Sequence, residues 1–576
     1  MIVPPVIVVG GGPVGLTAAL LLARCGVPSV VLESAPGRRT VGSRSICMQR
    51  DVLDVLERVG LGERIAAAGV TWWTGRTYYR GHEVLTITFP EQPAAAFPPF
   101  TNLGQSIVER MLDERVAGEP LVEMRWSHTV TGLTQDENGV TVTASTVPNV
   151  DGSPVEPDVD GFVVERNIDG SSVPNSGDSM VPNAATVKIR GTHCVAADGP
   201  RSAVRGLLGL EFPGESFDDQ FLIADVKAKL PFVAERRFFF DPEWNPGRQV
   251  LVHPQPDDVW RIDWQVPEGF DLAAERANGG LDRRIRMVAG DYELIWLSAY
   301  RFHQRRVPRM RVGRVLLAGD AAHVMSPFGA RGLNSGIQDA ENAAWKIAYE
   351  RAGLAGPALL ESYDAERRAA ARENLAVTGA TMRFLVPRTE RERAYRRSVL
   401  AASVHDADAR ALIDSGKLAE PFWYLDSPLT TPAPAERLAA FPTAPGVARP
   451  PLAGVLCPDA PLRDGGRLRR LFGPEFVLLT GTAAAVAAVS AAGVRALLSA
   501  GPSGAVIDGA GAGAPVRVVS TAQLADGGRL ASALGIDGGG AALVRPDGHL
   551  AAVLPDPAAV VSALPAALRR ATGWPL

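Results

Sequence analysis

The sequence predicts an α/β protein. It reads as a Rossmann-like dinucleotide-binding unit with a β-sheet unit inserted into it and a smaller α/β unit at the C-terminal end. Three observations carry this. Residues 5–33 run strand, glycine turn, helix, strand, acid. Phe221 to Tyr300 is rich in strand-like, aromatic segments and looks like a separate sheet. Thr430 to Pro451 is Pro/Ala-rich, as a linker is, and a fresh strand–helix alternation begins beyond it.

The opening stretch organises the rest. Pro5 to Val9 is a short apolar run, followed by Gly10-Gly11-Gly12-Pro13-Val14-Gly15. Leu16 to Cys25 is apolar and rich in Ala and Leu, and Ser29 to Leu32 is a second apolar run closed by Glu33. Gly10, Gly12 and Gly15 fit GxGxxG, and Glu33 stands 21 residues beyond Gly12, close to the ~20 that a dinucleotide fold places before its ribose-binding acid. Gly10 permits the tight turn, Gly12 lets backbone approach a pyrophosphate, and Gly15 lets helix pack on strand. The helix N-terminus offers unpaired N–H groups to a phosphate. A lone GxGxxG is weak evidence; here strand, helix, second strand and acid agree.

Composition bounds the rest. The 576 residues suggest two to four domains, and 46% hydrophobic and 21% charged content are those of a globular protein. The net charge of −4 and the lack of basic blocks exclude a nucleic-acid surface as the leading reading. Cys25, Cys47, Cys194 and Cys457 are far apart, form no CxxC and stand in no Cys/His cluster with metal-ligand spacing. A reducing cytoplasm and no metal are the expectation. The first apolar stretch has no basic start and is broken by Gly10 to Pro13, unlike a signal peptide. No run approaches the ~20 apolar residues of a membrane helix.

Along the chain, Ser34 to Ser45 reads as a polar loop carrying Arg44, and Ile46 to Val59 as an amphipathic helix closed by Gly60. Thr71 to Pro99 alternates like strands, and Gln105 to Val116 is helical. From Thr129 a hairpin is expected, with its turn near Asp136 to Gly139 and its continuation at Thr186 to Ile189. Thr146 to Ala185, rich in Pro, Asn, Asp, Gly and Ser, is expected as a mobile insertion in that hairpin. Arg314 to Ala318 reads as a buried strand, Leu333 to Ala352 as a long helix and Ser362 to Leu385 as a charged one. In the tail, Phe476 to Leu479, Val516 to Val519 and Ala541 to Val544 read as strands, Ala483 to Ala500 and Val560 to Ala571 as helices.

Two further glycine motifs stand beside the first. One is Asp198-Gly199-Pro200-Arg201-Ser202-Ala203-Val204-Arg205. The other is Gly319-Asp320-Ala321-Ala322-His323, followed by Pro327, Gly329, Gly332-Leu333-Asn334-Ser335-Gly336, Asp339, Asn342 and Trp345-Lys346. From the residues alone, Asp320 ends a buried strand where a carboxylate can hold hydroxyls, and Gly332 to Gly336 opens a helix whose dipole stabilises negative charge. Asp320 as a helix N-cap and His323 as strand-end packing are the structural alternatives. Together the three motifs resemble the signatures of the FAD-dependent group A monooxygenases, the para-hydroxybenzoate and phenol hydroxylase family, over residues 5 to 385. The tail resembles the thioredoxin-like domain of its aromatic polyketide and phenylpropionate hydroxylases, with Leu543 to Gly548 as the matching run and no CxxC.

That resemblance implies an α/β fold with a Rossmann-like FAD-binding domain, an inserted β-sheet substrate domain and a C-terminal thioredoxin-like domain. The expected boundaries are 1–74, 98–200 and 300–390 for the FAD-binding domain, with the polar insertion 146–185; 75–97 and 201–299 for the substrate domain; 391–449 for a helical connection; and 450–576 for the thioredoxin-like domain. It implies FAD as cofactor, NADPH or NADH as transient co-substrate, and O2. The cofactor-binding residues implied are Gly10, Gly12, Pro13, Gly15, Glu33, Ser34, Arg44, Gln105, Asp198, Asp320, Pro327, Gly332, Leu333 and Asn334. Arg201, Ser202 and Arg205 are implied as support for the nicotinamide, with a capped helix start as the structural alternative.

The pattern departs in one place. Many members have Gly-Gly-Gln-Gly where this chain has Gly329-Ala330-Arg331-Gly332, so Arg331 is expected to help flavin anion formation, to meet an acidic substrate or to face solvent. The activity implied is hydroxylation of a phenolic or polyketide aromatic by way of a flavin hydroperoxide, in a monomer or homodimer. A Baeyer–Villiger or epoxidising enzyme and a non-catalytic aromatic-binding protein are the alternatives. Candidate substrate residues are Tyr78, Trp260, Trp264 and His253, with Trp72, Tyr79 and His303 behind them; aromatics on strands more often belong to the core. No general base is assigned.

Overall fold

The computed structural model describes residues 4–38, 45–92, 94–146, 185–444, 446–481, 496–498, 505–507 and 514–575. Arg44 and all but the two end residues of the expected insertion, Thr146 and Ala185, lie outside them.

A six-stranded sheet lies at the centre, in the order Arg311–Val312, Val315–Leu317, Cys194–Ala196, Val6–Val9, Ser29–Leu32, Val122–Arg125. All neighbours pair parallel except the outermost Arg311–Val312. Its central strands are buried apolar runs without alternation, as a sheet covered on both faces requires. The helices Pro13–Arg24 and Arg331–Arg351 pack on it and on each other. The expected hairpin stands beside it as His128–Asp136, Gly139–Thr146 and Ala185–Gly191.

The second sheet has eight strands in the order His323–Val324, Glu293–Arg306, Gly214–Lys227, Val259–Val266, Gln249–Pro254, Arg236–Phe240, Thr74–Tyr79, His82–Thr88. Alternation splits it into two apolar faces. Leu222, Ala224, Val250, Ile262 and Trp264 pack against Leu281 and Ile285 of the helix Gly280–Ala289. Phe221, Phe238, Leu251 and Phe302, on the opposite face, cluster with Phe328 and with Met382 and Leu385 of the helix Ala358–Leu385.

Two expectations change. Ile46 to Val59 is not one helix: Cys47–Gln49 is a strand paired antiparallel with Phe100–Asn102, and the helix is Arg50–Glu57. Tertiary pairing outweighs an amphipathic period here. Of the expected helix Ala483 to Ala500, Ala496–Leu498 is a strand parallel to Val516–Ser520, and the rest lies outside the described residues.

The C-terminal sheet runs Ala505–Ile507, Ala496–Leu498, Val516–Ser520, Phe476–Thr480, Ala541–Val544, Leu550–Leu554. Phe476–Thr480 is parallel to Val516–Ser520 and antiparallel to Ala541–Val544. Trp345 and Tyr349 share one buried cluster with Phe476, Leu478, Val516 and Leu564. The long helix of the first unit is therefore covered by the last, which is why it is buried nearly all round.

Candidate cofactor and substrate site

The three glycine motifs meet beyond the C-terminal ends of three adjacent parallel strands. Val9 pairs with Ala196, and Ala196 with Leu317; Gly10, Asp198 and Gly319 follow directly or one residue later. Gly10 has φ of 103°, and a Cβ there would lie 2.3 Å from the Ala197 carbonyl oxygen. A Cβ on Gly15 would lie 2.0 Å from the Gly10 carbonyl oxygen. These two positions are closed by packing. Gly12, Gly199 and Gly332 are the reverse: among the described residues, nothing beyond their own chain neighbours and helix stands within 4 Å of where a Cβ would be.

Two helices start at this opening without a side-chain cap. Pro13–Arg24 begins after Gly12, with Pro13 in its first turn, and Arg331–Arg351 after Ala330, which is left-handed at φ 56°. Their first N–H groups have no intrahelical acceptor and carry the positive end of the dipole. Gly332 and Leu333 are half-buried in the first turn of the second helix, and Pro327 is exposed just before it.

Glu33 closes its strand and turns back. Its Oε2 accepts from Gly11 N–H at 2.7 Å, and its Oε1 from Ala35 N–H at 2.9 Å and from the Ser34 hydroxyl at 3.2 Å. Arg38, which sequence reasoning passed over, donates to the Gly11 carbonyl at 2.7 Å and forms a two-pronged pair with Asp113. Gln105 opens the helix Gln105–Ala117; it accepts from Ser45 N–H at 3.2 Å and donates to Glu109 at 2.8 Å. Asp198 accepts from the Ser202 hydroxyl at 2.6 Å and Val204 N–H at 3.1 Å. Burial pushes its carboxyl upward against those bonds. Ser202 caps Arg205 N–H, and Arg205 donates to the carbonyls of Ala321 and Pro200. The second motif thus braces the third.

Asp320 is exposed in the turn Gly319–Ala321. Asn334 is buried, and its amide is bound to backbone: Oδ1 accepts from Gln49 N–H at 3.0 Å and Nδ2 donates to the Cys47 carbonyl at 3.1 Å. It ties the second helix start to the strand Cys47–Gln49. Arg331 is also buried, and its guanidinium is committed to protein partners. It donates to the Lys417 and Leu418 carbonyls at 3.1 and 2.9 Å and to Asn374 at 2.7 Å. Of its three expected roles, facing solvent is excluded by that burial. His323 bonds Asp339 at 2.7 Å, buried on both sides.

The substrate candidates divide between the two faces of the large sheet. Trp260 and Trp264 lie in the cluster with Leu281 and Ile285. Tyr78 stacks on Phe239 at 5.0 Å, and its hydroxyl accepts from Arg237 at 2.7 Å. His303 bonds the Ser216 hydroxyl at 2.8 Å. Tyr79 packs with the Phe328 cluster. His253 is buried on the inner face, 6.2 Å ring to ring from Trp72 and 3.5 Å from the Asn102 amide. Burial, then Arg236 and Arg261, hold its imidazole well below the ordinary range. Trp72 stacks on Phe100 at 4.8 Å and donates to Asn102 at 2.9 Å.

Over the middle of the inner face Ile223, Asp263 and Tyr300 keep accessible surface although they stand on interior strands. Asp263 lies between Ile223 and Leu251 in register. Its Oδ1 is buried and has no hydrogen-bond partner among the described residues. Burial raises its carboxyl to about 7, with Arg261 opposing and Asp225 adding to the rise. Arg261 is committed to Asp225 through two bonds of 2.8 Å. Sequence reasoning missed Asp263; the signal was the alternation in Val259–Val266, which sets Arg261 and Asp263 opposite Trp260 and Trp264.

The FAD binding domain family matches residues 4–155 and 178–378, more than half of the chain. The chain belongs to this family. Rifampicin monooxygenase of Streptomyces venezuelae is 33% identical over 66% of this chain and 71% of its own. Para-nitrophenol 4-monooxygenase of a Pseudomonas strain is 30% identical over 63% and 82%. The solved flavin-dependent monooxygenase PieE, in complex with FAD and substrate, superposes with a TM-score of 0.77 over all of both chains at 23% identity. That likeness concerns the fold, and it includes the C-terminal unit.

This FAD-dependent monooxygenase has residues that fit its cofactor. Open space above Gly12, Gly199 and Gly332 and two uncapped helix N-termini are what a ligand with a pyrophosphate and an electron-accepting ring requires. Among the described residues no group of His, Cys, Asp and Glu could hold a metal ion, and no helix is long and apolar enough to cross a membrane.

Proposed function

We propose that this monooxygenase hydroxylates an aromatic, hydroxyl-bearing substrate held between the inner face of the large sheet and the 327–330 loop. The observation that carries this is the accessible, partly polar middle of that face, opposite a loop that ends in an uncapped helix. The relatives named for para-nitrophenol and rifampicin support an aromatic substrate. FAD, when bound, accepts electrons from NADPH or NADH and activates O2.

The chain's own residues do the rest. The N-termini after Gly12 and Ala330 attract negative charge, the first at a pyrophosphate and the second at a reduced ring. Arg38 and Glu33 fix the Gly11 peptide from both sides. Asn334 holds the second helix start against Cys47–Gln49. Phe221, Phe302 and Phe328 close the far end with ring contacts of 4.6 to 5.7 Å and exclude water there. Gly10, Gly12, Pro13, Gly15, Glu33, Ser34, Gln105, Asp198, Asp320, Pro327, Gly332, Leu333 and Asn334 form the proposed cofactor site.

The unit 450–576 is proposed as thioredoxin-like and structural. Its strand order and parallel–antiparallel pairing support this, and its single Cys457 is buried, with a thiol that burial pushes up to about 12, so no dithiol exchange is available. Four unpaired cysteines support a reducing, cytoplasmic setting. The test is turnover under 18O2 with a panel of phenols and polyketide aromatics. One labelled oxygen in the product supports the reading; reduction of O2 to peroxide with every aromatic, and no labelled product, overturns it.

A further inference from the structure

We infer that Asp263 is the group that takes the proton from the reacting hydroxyl of the aromatic substrate. This deepens the function proposed above and rests on it. Asp263 stands on the inner face of the sheet, on the strand Val259–Val266, flanked by Ile223 and Leu251. That same face carries the Phe221, Phe238 and Phe302 cluster with Phe328, which precedes the helix start at Arg331. The carboxylate is deep inside the protein yet retains accessible surface. The accessible part belongs to the rest of the side chain, because its Oδ1 is itself covered. That Oδ1 has no hydrogen-bond partner among the described residues. A buried carboxylate left unsatisfied is costly, and a hydroxyl delivered by a substrate would supply the missing donor.

The groups around it are already engaged. Arg261 pairs with Asp225, Gln255 also donates to Asp225, and Gln265 bonds Asp219. Arg236 donates to the Ser415 carbonyl. His253 is held neutral and sits beside Asn102.

The step balances within the site. The substrate O–H bond breaks, its electron pair stays on oxygen, and an O–H bond forms on Asp263. The carboxyl becomes neutral and the substrate anionic, so the site's net charge is unchanged. The added electron density enriches the ring carbons ortho and para to the oxygen, where an electrophilic oxygen is received. The carboxyl returns the proton to the product's oxygen before release. A carboxyl raised to about 7 is matched to this exchange near neutral pH.

The experiment uses the FAD-loaded full chain and the phenol that gives labelled product under 18O2. Asp263→Asn is expected to lower kcat by roughly a hundredfold and to abolish the acid limb of the kcat–pH profile near 7, at wild-type flavin content. Asp263→Glu is expected to restore part of kcat and a shifted limb. Wild-type kcat and an unchanged limb in Asp263→Asn overturn the assignment. The wild-type complex gives an answer that does not depend on a variant folding: kcat should fall with one proton as the pH drops through about 7, and a kcat that stays flat through that range overturns the assignment. A wild-type protein that hydroxylates no phenol overturns the function itself, which is a separate result.

Discussion

Arg367 Nε donates to Asp339 Oδ1 at 2.6 Å, and both side chains are buried. The other oxygen of Asp339 accepts from Gly319 N–H at 2.9 Å and bonds His323 at 2.7 Å. Burial alone would raise this carboxyl; Arg367 and His323 outweigh it and hold it below the usual range. The ion pair therefore anchors the turn at the third strand end. Arg367→Met leaves the carboxylate buried without its main partner, a loss of about 3–5 kcal/mol. The expected outcome is a fall in Tm together with loss of bound FAD, read by calorimetry and by absorbance of the purified protein.

The same network reaches the C-terminal unit. Arg367 donates to the Tyr424 hydroxyl at 2.8 Å, and the Tyr424 ring lies 4.3 Å from that of His549. Arg545 bonds both Glu366 oxygens, at 2.6 and 2.9 Å, and also Asp547. Lys346 donates to Glu366 at 2.6 Å. Separating the two units would leave these buried charges without partners, which ties the stability of one to the other. Calorimetry should show one transition. Arg545→Ala should lower it by several degrees without splitting off a second peak.

The glycines make opposite predictions. At Gly15 a methyl group meets the Gly10 carbonyl at 2.0 Å, and backbone cannot yield, so Gly15→Ala should disrupt the turn and leave protein without flavin. At Gly12 the space is open. Gly12→Ala should keep the apoprotein's Tm and weaken FAD by tenfold or more, about 1.4 kcal/mol, as measured by titration of the apoprotein.

How much of this was readable follows from distance along the chain. Gly10, Gly12 and Glu33 lie within one βαβ unit, so their spacing sufficed. Trp260 and Trp264 carry the same alternating pattern as Arg261 and Asp263, and only the docking of Gly280–Ala289 decides which set faces inward. Cys47–Gln49 reads as helix until Phe100–Asn102 pairs with it. The direction of Arg331 is set by Lys417 and Leu418, 86 and 87 residues away. Pairings of that range leave no local period.

Acid should weaken the fold through two histidines. Burial, then Arg314 and Arg351, depress His193 to about 3, and His253 is also well below its ordinary range. An unfolded histidine takes its proton near ~6.5, so between that value and about 3 the unfolded chain binds more protons. Stability therefore rises with pH across this window and levels off above it, by up to ~1.4 kcal/mol per pH unit for each group. Denaturant unfolding at pH 7.5 and 5.5 should show the loss on the acid side, and His193→Asn should reduce the difference.

The central claim is that the opening at Gly12, Gly199 and Gly332 holds an FAD that serves oxygen transfer to an aromatic ring. Anaerobic stopped-flow reduction by NADPH and by NADH, with and without the aromatic panel, tests it most directly. The account predicts yellow protein whose flavin is bleached much faster when one class of phenol or polyketide is present. Colourless protein that takes up no FAD, or a bound flavin that neither nicotinamide reduces with any ligand, would contradict it.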